Sequence, residues 1–176
     1  MPRIAPIDPV DAEPAARAEL DRQLEAHGRL TNMKRTLAHS GTALQALMTW
    51  YPLRDKVAVF LGERATTLFA HAISAGTDCL ICSTFFRRIL IEAGDDPDAP
   101  VLDEREQAVV DFGLQLVRDP NGVSDELYGR LAAFLKPAEV VDLTAFGAMM
   151  IATNVVNNAL RVELDDYLVP YRRPGA

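Results

Sequence analysis

Apolar and polar positions along the chain recur every three to four residues, the spacing of an amphipathic helix, and alternation of period two is weak throughout. Ala16, Leu20 and Leu24 share one face of a helix expected over about 13–27. A second helix is expected over 34–40, free to run on into a third over 42–51. Pro52 stops that third helix, because its ring leaves the backbone no donor. A fourth spans 55–75 and ends at Gly76, a residue suited to a left-handed cap. The fifth covers 79–93 and ends at Gly94, and the run Asp95-Asp96-Pro97-Asp98-Ala99-Pro100 breaks the chain after it. The next covers 103–118, with Ala108, Val109, Phe112 and Leu116 on one side, and a shorter one over 124–135 carries Leu127, Leu131, Phe134 and Leu135.

The last helix opens on Pro137, a good first-turn residue, and runs to about 162. It is almost wholly apolar from Val140 to Val156, so burial on most sides is expected, with an oligomer interface supplying part of the cover. Asn121-Gly122 follows Asp119-Pro120 between two helical patterns and reads as a helix–helix turn. The expected architecture is an all-α bundle of seven to eight helices in a single domain over 1–176: N-terminal helices 1–52, a hairpin 53–94, C-terminal helices 103–164 and a tail 165–176. The tail, with Tyr167 and Arg172-Arg173-Pro174, reads as an arm that wraps a neighbour. Residues 53–93 and 137–162 echo each other in pattern without identity.

Composition narrows the classes of function. In 176 residues, 49% are hydrophobic and 24% charged, enough for a packed core. Lys plus Arg is 18 and Asp plus Glu is 25, so 18 − 25 = −7, which argues against a nucleic-acid or anionic-membrane partner. The longest uninterrupted apolar run, Phe146 to Ala152, falls short of the roughly 18–20 residues of a membrane span. The first residues, Met1-Pro2-Arg3-Ile4, show no apolar leader, and the expected location is the cytoplasm. Two cysteines three apart are no secreted disulfide framework. No phosphate-loop or dinucleotide fingerprint occurs, and no cofactor is expected.

The chemistry gathers at Thr77-Asp78-Cys79-Leu80-Ile81-Cys82. Asp78 is placed to cap a helix that starts at Cys79. A Cys-x-x-Cys at a helix start sits in the positive end of the macrodipole, which favours the thiolate, the reactive form. The spacing lets both sulfurs meet within one turn. The pair therefore reads either as a redox dithiol or as two small buried hydrophobes. A structural zinc site wants four ligands, and the chain offers no second Cys pair beside His27, His39 and His71, so no metal is expected.

A long helix, a glycine turn and a Cys-x-x-Cys opening the next helix resemble the carboxymuconolactone decarboxylase superfamily, in its alkylhydroperoxidase AhpD-like branch. The motif resemblance runs from about Leu53 to Ile91 and extends more loosely to the whole chain, including Asp103 to Leu164 with its Ala152-Thr153-Asn154 segment in the last helix. It implies an all-α bundle assembled as a trimer or hexamer. It also implies a thiol-dependent hydroperoxide reductase or disulfide oxidoreductase, reset by an external thiol reductant, protein or small molecule. On that pattern Cys82 attacks the hydroperoxide and Cys79 resolves it into a disulfide. The pattern carries a Glu twelve residues before the first cysteine and a His four after the second. This chain has Thr67 and Phe86 there. The thiols match and the proton relay does not, and general-base assistance is worth about 100- to 10,000-fold.

Glu63, Thr67 and His71 lie four apart on one helical stripe. Helical side chains lean toward the N-terminus, so His71 leans back toward the position of the family's Glu and is the better substitute base, with Glu63 the weaker one. Their ordinary roles are a hydrogen-bonded core or interface histidine and a solvated, ion-paired glutamate. Thr67 is a water holder or a back-bonded mid-helix threonine. Phe86 makes the site apolar, which suits an apolar hydroperoxide or other small organic substrate and raises a thiol pKa. Arg87 is an anion-binding candidate or a plain surface arginine. Two alternatives of other kinds stand beside the redox reading: a decarboxylase-type enzyme acting on an organic acid or lactone, and a catalytically silent oligomeric scaffold.

Overall fold

The computed structural model describes Met1–Arg173; the end of the expected arm, 174–176, lies outside the described residues. Among the described residues nine α-helices follow one another: α1 (Pro14–His27), α2 (Asn32–Leu37), α3 (Gly41–Met48), α4 (Trp50–Leu61), α5 (Glu63–Gly76), α6 (Leu80–Glu92), α7 (Glu104–Arg118), α8 (Asp125–Ala132) and α9 (Pro137–Leu160). Short 3-10 turns occupy Pro9–Asp11, Pro120–Gly122 and Asp166–Tyr171, and no strand occurs among the described residues. The fold is all-α, as the periodicity requires.

Local chemistry sets most of the boundaries. Pro14 opens α1 and Gly28, at φ 70, closes it in the left-handed region. Hydroxyls of Thr31, Ser40 and Ser124 cap α2, α3 and α8. Asp103 and Glu106 form a reciprocal capping box on α7, with bonds of 2.8 and 3.1 Å. α5 is the central helix, buried from Ala65 to Ser74 on nearly every side and packed against α4, α6, α7 and α9. Phe69 of α5 lies between Phe112 of α7 and Phe146 of α9, with ring centroids 6.3 and 5.9 Å away. Gly147 lets α9 approach: a Cβ there would stand 2.7 Å from Leu116 Cδ1 and 2.9 Å from Phe69 Cζ.

Five sequence expectations are corrected. The helix expected over 55–75 is two helices, α4 and α5, because Gly62 takes φ 85 and breaks the ladder after Leu61. Pro52 does not stop a helix but sits in the first turn of α4, where a missing N–H leaves no bond unmade; the break comes at Thr49. α2 ends at Leu37, and Ser40 starts α3 afresh. α9 is not buried on most sides. Leu143, Phe146, Met150, Asn154 and Asn157 face the core, while Val141 is 66% and Val155 57% exposed. By length and composition α9 is also apolar enough to cross a membrane, which no single uninterrupted run reveals; in this fold it packs on α4 and α5. The tail from Tyr167 onward is no free arm over its described part: Asp166–Tyr171 turns back onto α6 and buries Leu168 completely.

Candidate functional site

The site is the turn between α5 and α6, clamped by the end of α9. Thr77 leaves α5 with its N–H bonded to the Ile73 carbonyl at 3.0 Å. Asp78 then takes φ 52, and the Cys79 N–H turns back to the Ser74 carbonyl at 3.0 Å. Asp78 is therefore not the cap of α6. Cys79 itself is the cap, its Sγ accepting the Cys82 N–H at 3.4 Å. The positive φ turns Asp78 out of the capping position and brings the sulfur into it.

Three asparagines of α9 hold this turn. Asn154 Nδ2 donates to Thr77 Oγ1 at 2.8 Å and to Ser74 Oγ at 3.4 Å. Asn158 Nδ2 donates to the Thr77 carbonyl at 2.8 Å. Asn157 Nδ2 donates to Cys82 Sγ at 3.2 Å and to Met33 Sδ of α2 at 3.3 Å. These residues were not singled out from sequence, although the signal was there. Polar amides in the most apolar helix of a chain need buried partners, and a buried amide without one costs about 1–3 kcal/mol.

Both cysteines are free thiols, Cys79 0% and Cys82 6% exposed. Their protons are unequally held. The Cys82 thiol donates to Cys79 Sγ and holds the Cys79 thiol below its ordinary value, helped by the backbone N–H groups of the first turn of α6 and by Asn157. The same bond raises Cys82 well above the ordinary thiol value, and its burial adds to the effect. Of the two, Cys79 gives up its proton the more readily and Cys82 holds its own the more firmly.

Cys82 lines a half-open, almost wholly apolar cavity of about 50 Å³. Met33, Trp50, Phe86, Met150 and Leu168 are among its walls. Trp50 meets Phe86 edge-on at 6.4 Å, and Tyr51 stacks between Trp50 and His27 at 4.0 and 3.8 Å. Beneath Tyr51 lies Lys34, 1% exposed, with Nζ 5.1 Å from the ring centroid. Burial lowers the Lys34 pKa to about 8, against the opposing pull of Asp165 and Glu19.

The sequence candidates divide between this site and elsewhere. Cys79, Cys82 and Phe86 come together. Thr67 is buried and back-bonds to the Glu63 carbonyl at 2.8 Å; it lines a separate open cleft of about 400 Å³ on the other side of Trp50 and Phe86. Glu63 points to the surface and pairs with Arg54, not with its neighbour Arg64. Arg64 instead reaches Asp95 and Glu106. Arg87 makes a two-pronged bond to Asp98 at 2.8 and 2.6 Å. His71 faces the same pair, its pKa lowered first by burial and then by the Arg87 charge. It lines neither the cavity at Cys82 nor the surface cleft at Cys79. Among the described residues no group of three or more His, Cys, Asp or Glu side chains is placed to hold a metal ion.

No protein-family model and no curated protein sequence matches the chain. Solved structures do. An alkylhydroperoxidase AhpD core, a peroxidase-related protein from Ralstonia eutropha JMP134, superposes with a TM-score of 0.75 at 16% identity, over 95% of this chain and 94% of that one. A peroxidase-related protein from Silicibacter sp. TM1040 gives 0.72 at 18%, over 96% of each chain. The debrominase Bmp8 gives 0.76 at 16%, over 96% and 95%, and a cysteine-to-alanine form of that protein is described in complex with 2,3,4-tribromopyrrole. At these identities the likeness is one of fold: the chain shares the fold of the AhpD core. The proteins that share it here are named as peroxidase-related and debrominase proteins.

Proposed function

We propose that the chain is a thiol-dependent reductase of a small apolar hydroperoxide, working through Cys79 and Cys82. The observation that carries this reading is the placement of the pair: a Cys79 sulfur that caps α6 by accepting the Cys82 N–H, one turn from a Cys82 sulfur that lines an apolar cavity. Cys82 Sγ attacks the outer oxygen of the hydroperoxide, so an S–O bond forms as the O–O bond breaks. The Cys82 proton passes to Cys79 Sγ and from there to the leaving alkoxide, which departs as the alcohol. Cys79, again a thiolate, attacks the sulfenic sulfur of Cys82, and hydroxide leaves as the disulfide closes. The two electrons come from the two sulfurs, and an external thiol returns them. Cys79 thus stands in for the base that Thr67 and Phe86 do not supply.

A second reading rests on the fold likeness to the debrominase and on the aromatic walls of the cavity. The Cys82 sulfur takes a halogen from an aromatic ring, and the ring carbon keeps the bond's electron pair and takes the thiol proton. Closure by Cys79 then expels halide. The same proposal includes a homo-oligomer, the trimer or hexamer that the AhpD-like resemblance implies, and the exposed apolar side of α9 supports it.

The test treats reduced protein with cumene hydroperoxide and follows free thiols and intact mass. The expected result is loss of both thiols and about two mass units. Cys79→Ser is expected to stall as a sulfenic acid trapped by dimedone. Thiols that stay reduced at peroxide levels that oxidise free cysteine overturn the hydroperoxide reading, and the same assay with a brominated pyrrole then tests the second one. A decarboxylase activity would survive serine at both positions. A scaffold would show no turnover with or without the sulfurs.

A further inference from the structure

The two thiols line different cavities. Cys82 is in the wall of the apolar cavity and Cys79 is not. Cys79 is in the wall of a surface cleft of about 310 Å³ between the start of α6 and the end of α9, and Cys82 is not. A disulfide joining them would form a septum between an apolar chamber and a polar opening.

That opening carries a specific charge pattern. Asp78 and Arg161 both line it, both are exposed, and neither has an ion-pair partner among the described residues. They are also the two non-glycine residues there with positive φ, 52 and 51. A third wall residue, Asn157, is 2% exposed, and its Oδ1 has no hydrogen-bond partner. A cation, an anion and a buried acceptor thus surround the mouth above Cys79.

We propose that this cleft receives the reducing thiol, and that the thiol is a small zwitterion: an amino-acid or short-peptide thiol whose carboxylate meets Arg161 and whose ammonium meets Asp78. The inference rests on the thiol-redox reading and names its second substrate. The incoming thiolate attacks Cys79 Sγ of the closed disulfide. A new S–S bond forms to Cys79, the Cys79–Cys82 bond breaks, and Cys82 leaves as a thiolate that takes a proton from water. A second thiol then attacks the reductant's sulfur in the mixed disulfide. It releases Cys79 as a thiolate and carries the reductant away in its disulfide form. Access through the cleft decides which sulfur is attacked in the first exchange; in the second, Cys79 is the leaving group, and the first turn of α6 and Cys82 stabilise its charge.

The experiment starts from protein whose disulfide has been closed with diamide, so that it does not depend on hydroperoxide reactivity. Reduction rates are measured with 3-mercaptopropionate, cysteamine, cysteine and uncharged 2-mercaptoethanol. Arg161→Asn and Asp78→Asn remove each charge while keeping a residue that tolerates the left-handed region. Arg161→Asn is expected to lower the rate with 3-mercaptopropionate, relative to 2-mercaptoethanol, by about threefold, and Asp78→Asn to do the same for cysteamine. Cysteine should lose rate in both variants. Glutathione disulfide should modify Cys79 in Cys82→Ser faster than Cys82 in Cys79→Ser. Rates indifferent to thiol charge, or faster modification of Cys82, overturn the cleft assignment and leave the redox reading standing. A pair that diamide cannot close overturns the redox reading itself.

Discussion

Asn157 ties three sulfur chemistries together, and its loss should be read in reactivity rather than in fold. Its Nδ2 donates to Cys82 Sγ and lowers the proton affinity of both thiols. Asn157→Ala is expected to slow iodoacetamide alkylation of the pair near neutral pH by about three- to tenfold, from one lost bond to a charged group. The rate plotted against pH should move to the alkaline side. An unmoved profile would remove Asn157 from the site. Lys34 makes a prediction of the opposite sign. Its folded pKa of about 8 lies below the ordinary 10.5, so between those values the unfolded chain holds a proton that the folded chain has released. Stability contributed by this group therefore rises as pH rises from about 8 to 10.5. Urea unfolding of wild type and Lys34→Met across that range should show the difference between them growing in favour of wild type.

At the scale of elements, the site depends on how close α9 comes to α5. Gly147 sets that approach, because a methyl group there would overlap Leu116 and Phe69. Gly147→Ala is expected to destabilise the protein by about 1–3 kcal/mol through overpacking, read as a lower denaturation midpoint. The Asn154 bonds to Thr77 and Ser74 lie two turns further along the same helix, so any shift of α9 should also loosen the α5–α6 turn. Faster alkylation of Cys79 in Gly147→Ala would register that coupling. Gly62 shows where element boundaries escape a periodicity reading. A glycine inside a helix costs only about 1 kcal/mol against alanine, so nothing in the pattern over 55–75 forbids continuity. The break exists because α5 has to lie in the centre of the bundle, and α4 has to run beside α9.

For the whole molecule, the unburied side of α9 is the feature without an internal partner. Val141, Ala145, Ala148, Ala152, Val155 and Ala159 are all exposed and alternate in steps of four and three along the helix. That is the spacing of a helix–helix seam, and small side chains permit close approach. Light scattering is expected to give a multiple of 19.3 kDa for the wild-type chain. Ala148→Glu with Ala152→Glu should reduce it to the monomer mass while the helical circular dichroism stays unchanged. A monomeric wild type would overturn the homo-oligomer proposed with the function.

The helical class, the opening of the last helix at Pro137 and the thiol pair are legible in the sequence. Each rests on information local to a few residues: a period of three to four, a proline suited to a first turn, two cysteines one turn apart. The family resemblance also marks Phe86, at the position where the pattern has a His, as an apolar neighbour of the pair. Tertiary structure decided the rest. Helical spacing alone makes His71 a neighbour of the position that Thr67 holds, but packing turns its stripe toward Arg87 and Asp98 and away from the sulfurs. Conversely, Met33 and Asn157 are 124 residues apart, and only the folded chain brings α2 and the end of α9 together there. The unequal hold of Cys79 and Cys82 on their protons also lies outside the motif. It depends on a backbone turn at Asp78 that puts a sulfur, rather than a carboxylate, at the helix start. A motif records which groups are present, and only the folded chain fixes the distances and burial that determine their chemistry.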